Sequence, residues 1–121
     1  MIAIIEDDRG WEEYYHQILA DYDLKCFHDG LAAVQWMDET VPELVILDIL
    51  LTGPTGFAVL NEMQSYPELA KVPVIIVSSV AMPKKELVKY GVRGVFDKGS
   101  MLPQDLLKSV QAALDEARNG K

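Results

Sequence analysis

The chain has 121 residues, of which 50% are apolar and 25% charged, which is the size of one domain and enough to bury a hydrophobic core. Eleven basic residues against nineteen acidic ones give a net charge of −8, which argues against direct binding to the phosphates of DNA or RNA. The sequence has no apolar run of about 18 residues and no basic segment before its first apolar run, so we expect neither a membrane span nor a targeting peptide. Its one cysteine, Cys26, cannot cross-link the fold or build a zinc site, which fits a reducing cytoplasm.

Short apolar runs alternate with helical periods along the chain, and these runs predict strands. The middle runs are continuous rather than alternating, which is typical of strands that are covered on both faces. The predicted strands are Met1–Ile5, Leu24–Phe27, Leu44–Leu47, Pro73–Val77 and Val95–Phe96.

Apolar residues at spacings of three and four predict a helix after each strand. The predicted helical segments run from Trp11 to Tyr22, from Leu31 to Met37, from Phe57 to Met63, over Pro83–Tyr90 and from Pro103 to Ala117. Pro83 and Pro103 lie in first turns and Gly91 follows the fourth helix, as expected for helix ends. This repeat predicts an α/β fold, an open parallel sheet of five strands with five helices on its two faces. Because no linker divides the chain, residues 1–121 are expected to form one domain.

Polar residues gather where the predicted strands end. The strand exits carry Glu6-Asp7-Asp8, Asp48, Ser78-Ser79 and Asp97-Lys98. Ligands of open α/β sheets bind beyond the carboxyl ends of the strands. If the first, third, fourth and fifth strands are neighbours, several carboxylates, a hydroxyl and an ammonium group meet in one crevice.

Carboxylates this close together repel one another, and a hard divalent cation relieves the repulsion. Mg²⁺ is bound by one to three carboxylates with waters and backbone carbonyls, and it bridges to phosphoryl oxygens. The lysine and a serine hydroxyl would then bind the remaining phosphoryl oxygens. The pattern therefore indicates a carboxylate that is phosphorylated or that assists phosphoryl transfer. The simpler interpretations are that Asp7 or Asp8 caps a helix, that Asp48 is a turn residue and that Ser78 and Lys98 are ordinary surface groups.

At these residues the chain resembles the receiver domain of two-component response regulators, and the resemblance covers essentially the whole chain. The phrases that carry it are Ile4-Ile5-Glu6-Asp7-Asp8, Pro42-Glu43-Leu44-Val45-Ile46-Leu47-Asp48, Gly56-Phe57, Pro73-Val74-Ile75-Ile76-Val77-Ser78 and Lys98. The resemblance implies a flavodoxin-like, doubly wound sheet with the strand order 2-1-3-4-5. It also implies a protein that catalyses only its own phosphorylation and dephosphorylation.

The resemblance assigns a role to each residue that matches the family pattern. Asp48 would accept a phosphoryl group from phosphohistidine on a sensor histidine kinase or a histidine phosphotransfer protein. Mg²⁺ would be held by Glu6, Asp7, Asp48 and the backbone carbonyl of Leu50. Ser78 and Lys98 would bind the phosphoryl oxygens. Asp8 and Val80 match variable positions that tune how fast the acyl phosphate hydrolyses.

The same resemblance places signal output, and an optional homodimer, on the surface of the fourth helix, the fifth strand and the last helix. Five basic residues fall in this region and predict a docking surface for an acidic partner or a second copy of the chain. They are Lys84, Lys85, Lys89, Arg93 and Lys98. A solvated helix face is the equally balanced alternative. We expect a cytoplasmic protein without membrane or nucleic-acid contacts.

Three positions depart from the family pattern. The usual proline four residues after the acceptor is Thr52, with Pro54 displaced, which changes only the loop. After the lysine, where the family usually has a proline with a cis peptide bond, this chain has Gly99. The bond is therefore either trans, with a shifted loop, or cis and strained. Where the family usually has an aromatic residue that changes its rotamer on activation, this chain has Val95. The valine has a single stiff torsion, so backbone and loop shifts are expected to carry the signal. Phe96 is expected on the other face of the strand.

Three alternatives remain open at this point. A phosphohydrolase of the haloacid-dehalogenase type needs an acidic residue two positions after its nucleophile, where this chain has Leu50. A flavodoxin-like cofactor protein needs a phosphate loop after the first strand, where Glu6, Asp7 and Asp8 would repel the phosphate. A pseudo-receiver that acts as an interaction scaffold is suggested by Val95 and Gly99.

Overall fold

The computed structural model contains one sheet of five parallel strands, in the order β2-β1-β3-β4-β5. It describes residues 1–50, 55–80 and 84–119, except for the side chains of residues 84, 86 and 119. This order is the predicted one. The strands are β1 (Ile2–Ile5), β2 (Leu24–Phe27), β3 (Leu44–Leu47), β4 (Val74–Ser78) and β5 (Val92–Asp97). All residues of β1, β3 and β4 are buried, which explains their continuous apolar sequences.

The sheet is covered on both faces, because alternate residues of each central strand enter different cores. Ile5, Leu47 and Ile76 lie in one core with α2 (Gly30–Met37), α3 (Gly56–Gln64) and α4 (Lys84–Leu87). Ile4, Ile46 and Ile75 lie in the other core with α1 (Arg9–Ile18) and α5 (Pro103–Asn119). This arrangement confirms the predicted doubly wound fold. Within residues 1–50, 55–80 and 84–119, the helices are too short or too polar to span a bilayer.

Side chains fix the first turns of three helices. Asp8 Oδ1 accepts hydrogen bonds from the backbone N–H groups of Gly10 and Trp11, at 2.8 and 3.2 Å, and so caps α1. Asp29 and Thr55 cap α2 and α3 in the same way. Each cap satisfies backbone donors that would otherwise lack a partner. The capping interpretation of Asp8 is therefore correct, and it accounts for one of the three acids after β1.

Several strand ends differ from the predicted bounds by one residue, and four differences are larger. The strand β5 begins at Val92 rather than Val95, since Val92 is buried and pairs with Val74 next to a shift in register. The helix α1 ends at Ile18, four residues before the end of the predicted segment. A one-turn helix over Pro67–Ala70, which the sequence analysis did not predict, buries Leu69. The fourth helix is split into α4 and a 3₁₀ turn over Val88–Tyr90.

Two sequence expectations for the fourth helix can be placed only in part. Its end is confirmed, because Gly91 adopts a φ of 80° and terminates the 3₁₀ turn. Its predicted first residue, Pro83, lies outside the described residues, as do Thr52 and Pro54.

Gly56 is the point where α3 approaches the end of β3. A Cβ atom at this position would lie 2.7 Å from both the Asp48 carbonyl oxygen and Ile49 Cα. These are backbone atoms that cannot rotate away. The glycine is therefore required for the close approach of α3 to the residue that follows β3.

The substitution Gly56→Ala is expected to lower the free energy of unfolding by about 1–3 kcal/mol, since the added methyl group overlaps backbone atoms. The matched control is Gly10→Ala, whose Cβ would meet only the Asp8 carboxylate oxygen, at 3.1 Å. It should stay within about 0.5 kcal/mol of the wild type. Denaturant unfolding followed by circular dichroism measures both, and equal stability of the two variants would contradict the packing argument.

Candidate functional site

The hydrogen-bond ladder of the sheet continues one residue past its strands and brings four polar side chains to one edge. The backbone N–H of Asp48 donates to Ile5 O at 3.0 Å, and that of Lys98 donates to Ser78 O at 3.0 Å. Glu6, Asp48 and Ser78 are buried, with relative exposures of 2%, 5% and 0%. The structure thus places these residues at the common carboxyl edge that the sequence predicts.

Lys98 connects the two buried acids. Its Nζ lies 2.7 Å from Glu6 Oε1 and 2.9 Å from Asp48 Oδ2, and its side chain is only 13% exposed. The other oxygen of Asp48, Oδ1, accepts a hydrogen bond of 3.0 Å from the backbone N–H of Leu50. Both oxygens of Asp48 are therefore held in fixed directions, one by an ammonium group and one by a peptide group.

Burial and charge shift the pKa values of this cluster. Desolvation raises the pKa of Glu6 from 4.5 to about 7; the charge of Asp48 adds to this effect, and the contact with Lys98 opposes it. Burial alone would lower the pKa of Lys98, but its contacts with Glu6 and Asp48 outweigh burial and raise that pKa. Tyr15, buried beneath the cluster in the core shared with α1, has a raised pKa because of desolvation and the charges of the two acids.

The acids fit a divalent cation. One carboxylate oxygen from each of Glu6, Asp7 and Asp48 lies within 4.8 Å of the other two. Glu6 Oε1 is buried and touches the Lys98 ammonium group without an aligned hydrogen bond from the described residues. A buried carboxylate oxygen with spare acceptor capacity, beside an exposed carboxylate on Asp7, is a donor set that suits Mg²⁺.

Two predicted site residues are placed by local hydrogen bonds. Ser78 ends β4, and its Oγ accepts a hydrogen bond from the backbone N–H of Val80 at 3.3 Å. Leu50 directs its backbone N–H at Asp48, and the role of its carbonyl group as a metal ligand stays a prediction.

The peptide bond between Lys98 and Gly99 is trans, which decides between the two geometries left open by the sequence. Asp97 closes the loop, because its Oδ1 accepts a hydrogen bond of 2.7 Å from the N–H of Gly99 and its carbonyl accepts from Ser100 and Met101. Lys98 reaches both acids from this trans loop. The side chain of Asp97, which was not assigned a role from the sequence, supplies the turn.

The structure corrects the predicted basic patch. Lys98 does not belong to the exposed surface, because it is buried against Glu6 and Asp48. Arg93 forms an ion pair of 2.7 Å with Glu116 of α5. Lys85 and Lys89 are exposed, and the side chain of Lys84 lies outside the described part of the chain.

Trp11 also belongs to the site, although the sequence indicated only that it lies on the apolar face of the first helix. Its ring lies 5.0 Å from Lys98 Nζ, a cation–π contact that helps to position the ammonium group. The capping aspartate three residues earlier was the available signal, because it places Trp11 in the first turn of α1, at the same edge of the sheet. The expectation for Phe96 holds: it packs into the core opposite to that of Val95.

The family model of the response regulator receiver domain matches residues 2–111. The chain is 27% identical over 90 residues to the response regulator Rcp1 of Synechocystis, a match that covers 65% of the chain and 61% of Rcp1. It spans 20% of the length of a second curated relative. The chain thus spans less than two thirds of both relatives.

Solved structures of receiver domains share the fold. The Mn²⁺-bound form of response regulator Rcp1 has a TM-score of 0.73 at 25% identity, over 92% of this chain and 88% of that one. A response regulator receiver domain protein from Methanospirillum hungatei has a TM-score of 0.84 at 22% identity, over 99% and 97%. The receiver domain of sensor histidine kinase PA1611 from Pseudomonas aeruginosa, with a magnesium ion in its active site cleft, has a TM-score of 0.81 at 17% identity, over 94% and 96%.

The likenesses below 25% identity support the fold alone, whereas the family model covers most of the sequence. Glu6, Asp7, Asp48 and Lys98 meet at the edge where the resemblance requires them. The chain belongs to the response regulator receiver domain family.

Proposed function

We propose that this receiver domain, residues 1–121, accepts a phosphoryl group on Asp48 from phosphohistidine of a sensor histidine kinase or phosphotransfer protein in the cytoplasm. The observation that carries the proposal is the environment of Asp48. Its carboxylate is buried, is held by Lys98 and the Leu50 N–H, and lies beside Glu6 and Asp7. An ordinary turn aspartate is solvated and needs no buried cation.

The chemistry is positioning and electrostatics. An oxygen of Asp48 attacks the phosphorus, the bond between phosphorus and the imidazole nitrogen breaks, and the histidine leaves. Lys98, already paired with Asp48, would then bind a phosphoryl oxygen as a point charge. The Ser78 hydroxyl, which accepts from Val80 in the unmodified protein, has a proton to donate to another phosphoryl oxygen.

Glu6, Asp7, Asp48 and the carbonyl of Leu50 are the groups that would hold Mg²⁺. When bound, the ion neutralises negative charge on the acids and on the phosphoryl oxygens. Two observations support this part of the proposal. The carboxylate oxygens lie within 4.8 Å of one another, and the response regulator Rcp1, at 25% identity, has a Mn²⁺-bound form.

The modification would replace the single negative charge of Asp48 with the nearly two negative charges of an acyl phosphate and would draw Ser78 and Lys98 toward it. The backbone bond from Lys98 N–H to Ser78 O joins the loops after β4 and β5, so both loops would move together. The output surface would comprise α4, β5 and α5. Exposed Val88 and Leu102 provide apolar area there beside Lys85 and Lys89.

Two of the three alternatives, the scaffold and the phosphohydrolase, have weaker support from the geometry of the site. A scaffold without phosphorylation does not need two acids buried around a lysine, and burying them costs free energy. A phosphohydrolase needs a general acid two residues after the nucleophile, and Leu50 has no titratable side chain.

Acetyl phosphate with Mg²⁺ is expected to add one phosphoryl group to the wild type, measured by intact mass. The variant Asp48→Asn should remain unmodified, because it lacks the nucleophile. The control Asp21→Asn removes an exposed carboxylate and should react like the wild type. A metal-independent adduct, or an adduct on Asp48→Asn, would contradict the assignment.

Replacing the central cation should destabilise the metal-free protein. We expect Lys98→Met to lower the free energy of unfolding by about 3–5 kcal/mol at pH values above the pKa of Glu6, since two buried carboxylates then lack a cation. Added Mg²⁺ should restore more stability to this variant than to the wild type. The exposed control Lys89→Met should change stability by less than about 0.5 kcal/mol.

The pH dependence has a definite sign. The folded protein binds the Glu6 proton more tightly than the unfolded chain, since the folded pKa is about 7 against 4.5. The contribution of Glu6 to stability is therefore largest below 4.5 and is lost as the pH rises through about 7. The deficit of Lys98→Met should shrink as Glu6 becomes protonated, and a deficit that grows toward acidic pH would contradict the argument.

Charge reversal of the output surface should separate docking from phosphorylation. Lys85→Glu with Lys89→Glu is expected to weaken self-association of the phosphorylated protein in sedimentation velocity, because the exposed ammonium groups are lost. Phosphorylation by acetyl phosphate should continue. The control Lys25→Glu lies on β2 at the opposite edge of the sheet. Association that is absent in the phosphorylated wild type, or unchanged in the double variant, would contradict the predicted dimer surface.

A further inference from the structure

A second group of metal-ligating side chains lies between α1 and β2. Glu12 and His16 are one turn apart on α1, which places them on one face of the helix. Cys26 lies on β2, and His28 follows two residues later. The donor atoms of Glu12, His16 and Cys26 all lie within 4.8 Å of one another.

The distances in this group suit a shared ion. Cys26 Sγ lies 3.7 Å from His16 Nε2. A tetrahedral Zn²⁺ ion, with bonds of about 2.3 Å to sulfur and about 2.0–2.1 Å to nitrogen, separates the two donors by about 3.6 Å. Without a metal, the two atoms form a weak S–H···N hydrogen bond. Their separation already matches the one that a bound ion would require.

The carboxylate of Glu12 is oriented by a partner. His28 Nε2 lies 2.8 Å from Glu12 Oε1, and the Glu12 side chain is 24% exposed. Both side chains line an open cavity of about 310 Å³ together with His16, and Arg9 and Glu13 contribute to its walls. An ion can therefore reach the group from solvent.

The chemistry of the donors selects the type of ion. A thiolate and an imidazole favour Zn²⁺ over Mg²⁺, which prefers oxygen donors. A reactive redox cysteine is the competing interpretation. Burial and the charge of Glu12 raise the pKa of Cys26 to about 11, which disfavours a reactive thiolate; for the same reason an ion must displace the thiol proton in order to bind the sulfur.

We propose that Glu12, His16 and Cys26 form a Zn²⁺ site, with a fourth position open to water and with His28 holding the Glu12 carboxylate. The expectation that a single cysteine cannot build a zinc site took only cysteine ligands into account. The fold brings a histidine and a glutamate to the same cysteine, which makes a mixed set of three ligands. This site is separate from the acids of the phosphorylation pocket, since it shares no residue with them.

Occupation of the site would link α1 to the edge strand β2. The unfolded chain does not hold these donors together, so binding stabilises the folded state by an amount that rises with the logarithm of the free Zn²⁺ concentration. The thiol proton of Cys26 is released to solvent as the metal–sulfur bond forms.

The test uses the purified, reduced protein in buffer that contains excess Mg²⁺, with Co²⁺ as a spectroscopic probe. A near-ultraviolet charge-transfer band from sulfur to Co²⁺ is expected on titration and should disappear when Zn²⁺ displaces Co²⁺. Zn²⁺ should also raise the melting temperature. The variant Cys26→Ser should lack the band, and His16→Gln and Glu12→Gln should bind Zn²⁺ at least about tenfold more weakly.

Matched variants distinguish coordination of Zn²⁺ from simple electrostatic attraction of the ion to nearby acidic residues. Asp21→Asn removes the same charge from an exposed position beyond the end of α1, and it should bind Zn²⁺ like the wild type. His28→Ala should weaken binding by about 10–100-fold while keeping the charge-transfer band, since His28 acts through Glu12. Asp48→Asn should retain the site, because it alters only the phosphorylation pocket.

The proposal is overturned if the wild type shows no charge-transfer band at saturating Co²⁺, if Cys26→Ser binds Zn²⁺ as tightly as the wild type, or if Asp48→Asn abolishes binding.

Discussion

Two carboxylates that end neighbouring strands are buried side by side, and this constraint determines the arrangement of the surrounding residues. Glu6 and Asp48 have relative exposures of 2% and 5%, so water screens their mutual repulsion weakly. Lys98 supplies the compensating charge with contacts to both. Because Lys98 follows β5, the last strand along the chain must lie close enough to β3 for its exit to reach the exits of β1 and β3. The strand order β1-β3-β4-β5 meets this requirement, because one strand separates β5 from β3 and two separate it from β1.

The same lysine couples the state of the pocket to the loop after β5. Its ammonium group contacts Glu6 Oε1 and Asp48 Oδ2, which are oxygens that a cation or a phosphoryl group would also engage under the proposed function. Any change of charge at those oxygens alters the free energy of the lysine contact. The loop is held by Asp97, and the lysine itself lies against the Trp11 ring. Under the proposed function, residues from both ends of the chain would therefore respond to a change of charge at Asp48.

The sequence predicted the central strands and the acids well, because both follow from local patterns. Runs such as Leu44–Leu47 are apolar at every position, and a residue directly after such a run must lie at the edge of the sheet. The start of β5 was missed because Arg93 is exposed and Gly94 has no side chain to continue the pattern. The sequence assigned Lys98 both to the crevice and to a surface patch, and the structure places it in the crevice, in contact with Glu6 and Asp48. The group at Cys26 was missed because its donors come from two elements that meet only through tertiary packing.

Under the proposed function, signal transmission without a switching aromatic ring would depend on the backbone. Val95 packs against the core that also contains Ile76, its partner in the β4–β5 register, and its stiff side chain has little freedom to rotate. Phe96 packs in the opposite core and so cannot replace the missing ring from the same face. In contrast, Ser78 pairs with Asp97, and the Lys98 N–H donates to the Ser78 carbonyl. Under the proposed function, a displacement of Ser78 toward a phosphorylated Asp48 would therefore pull directly on the end of β5, through main-chain bonds that do not depend on the identity of residue 95.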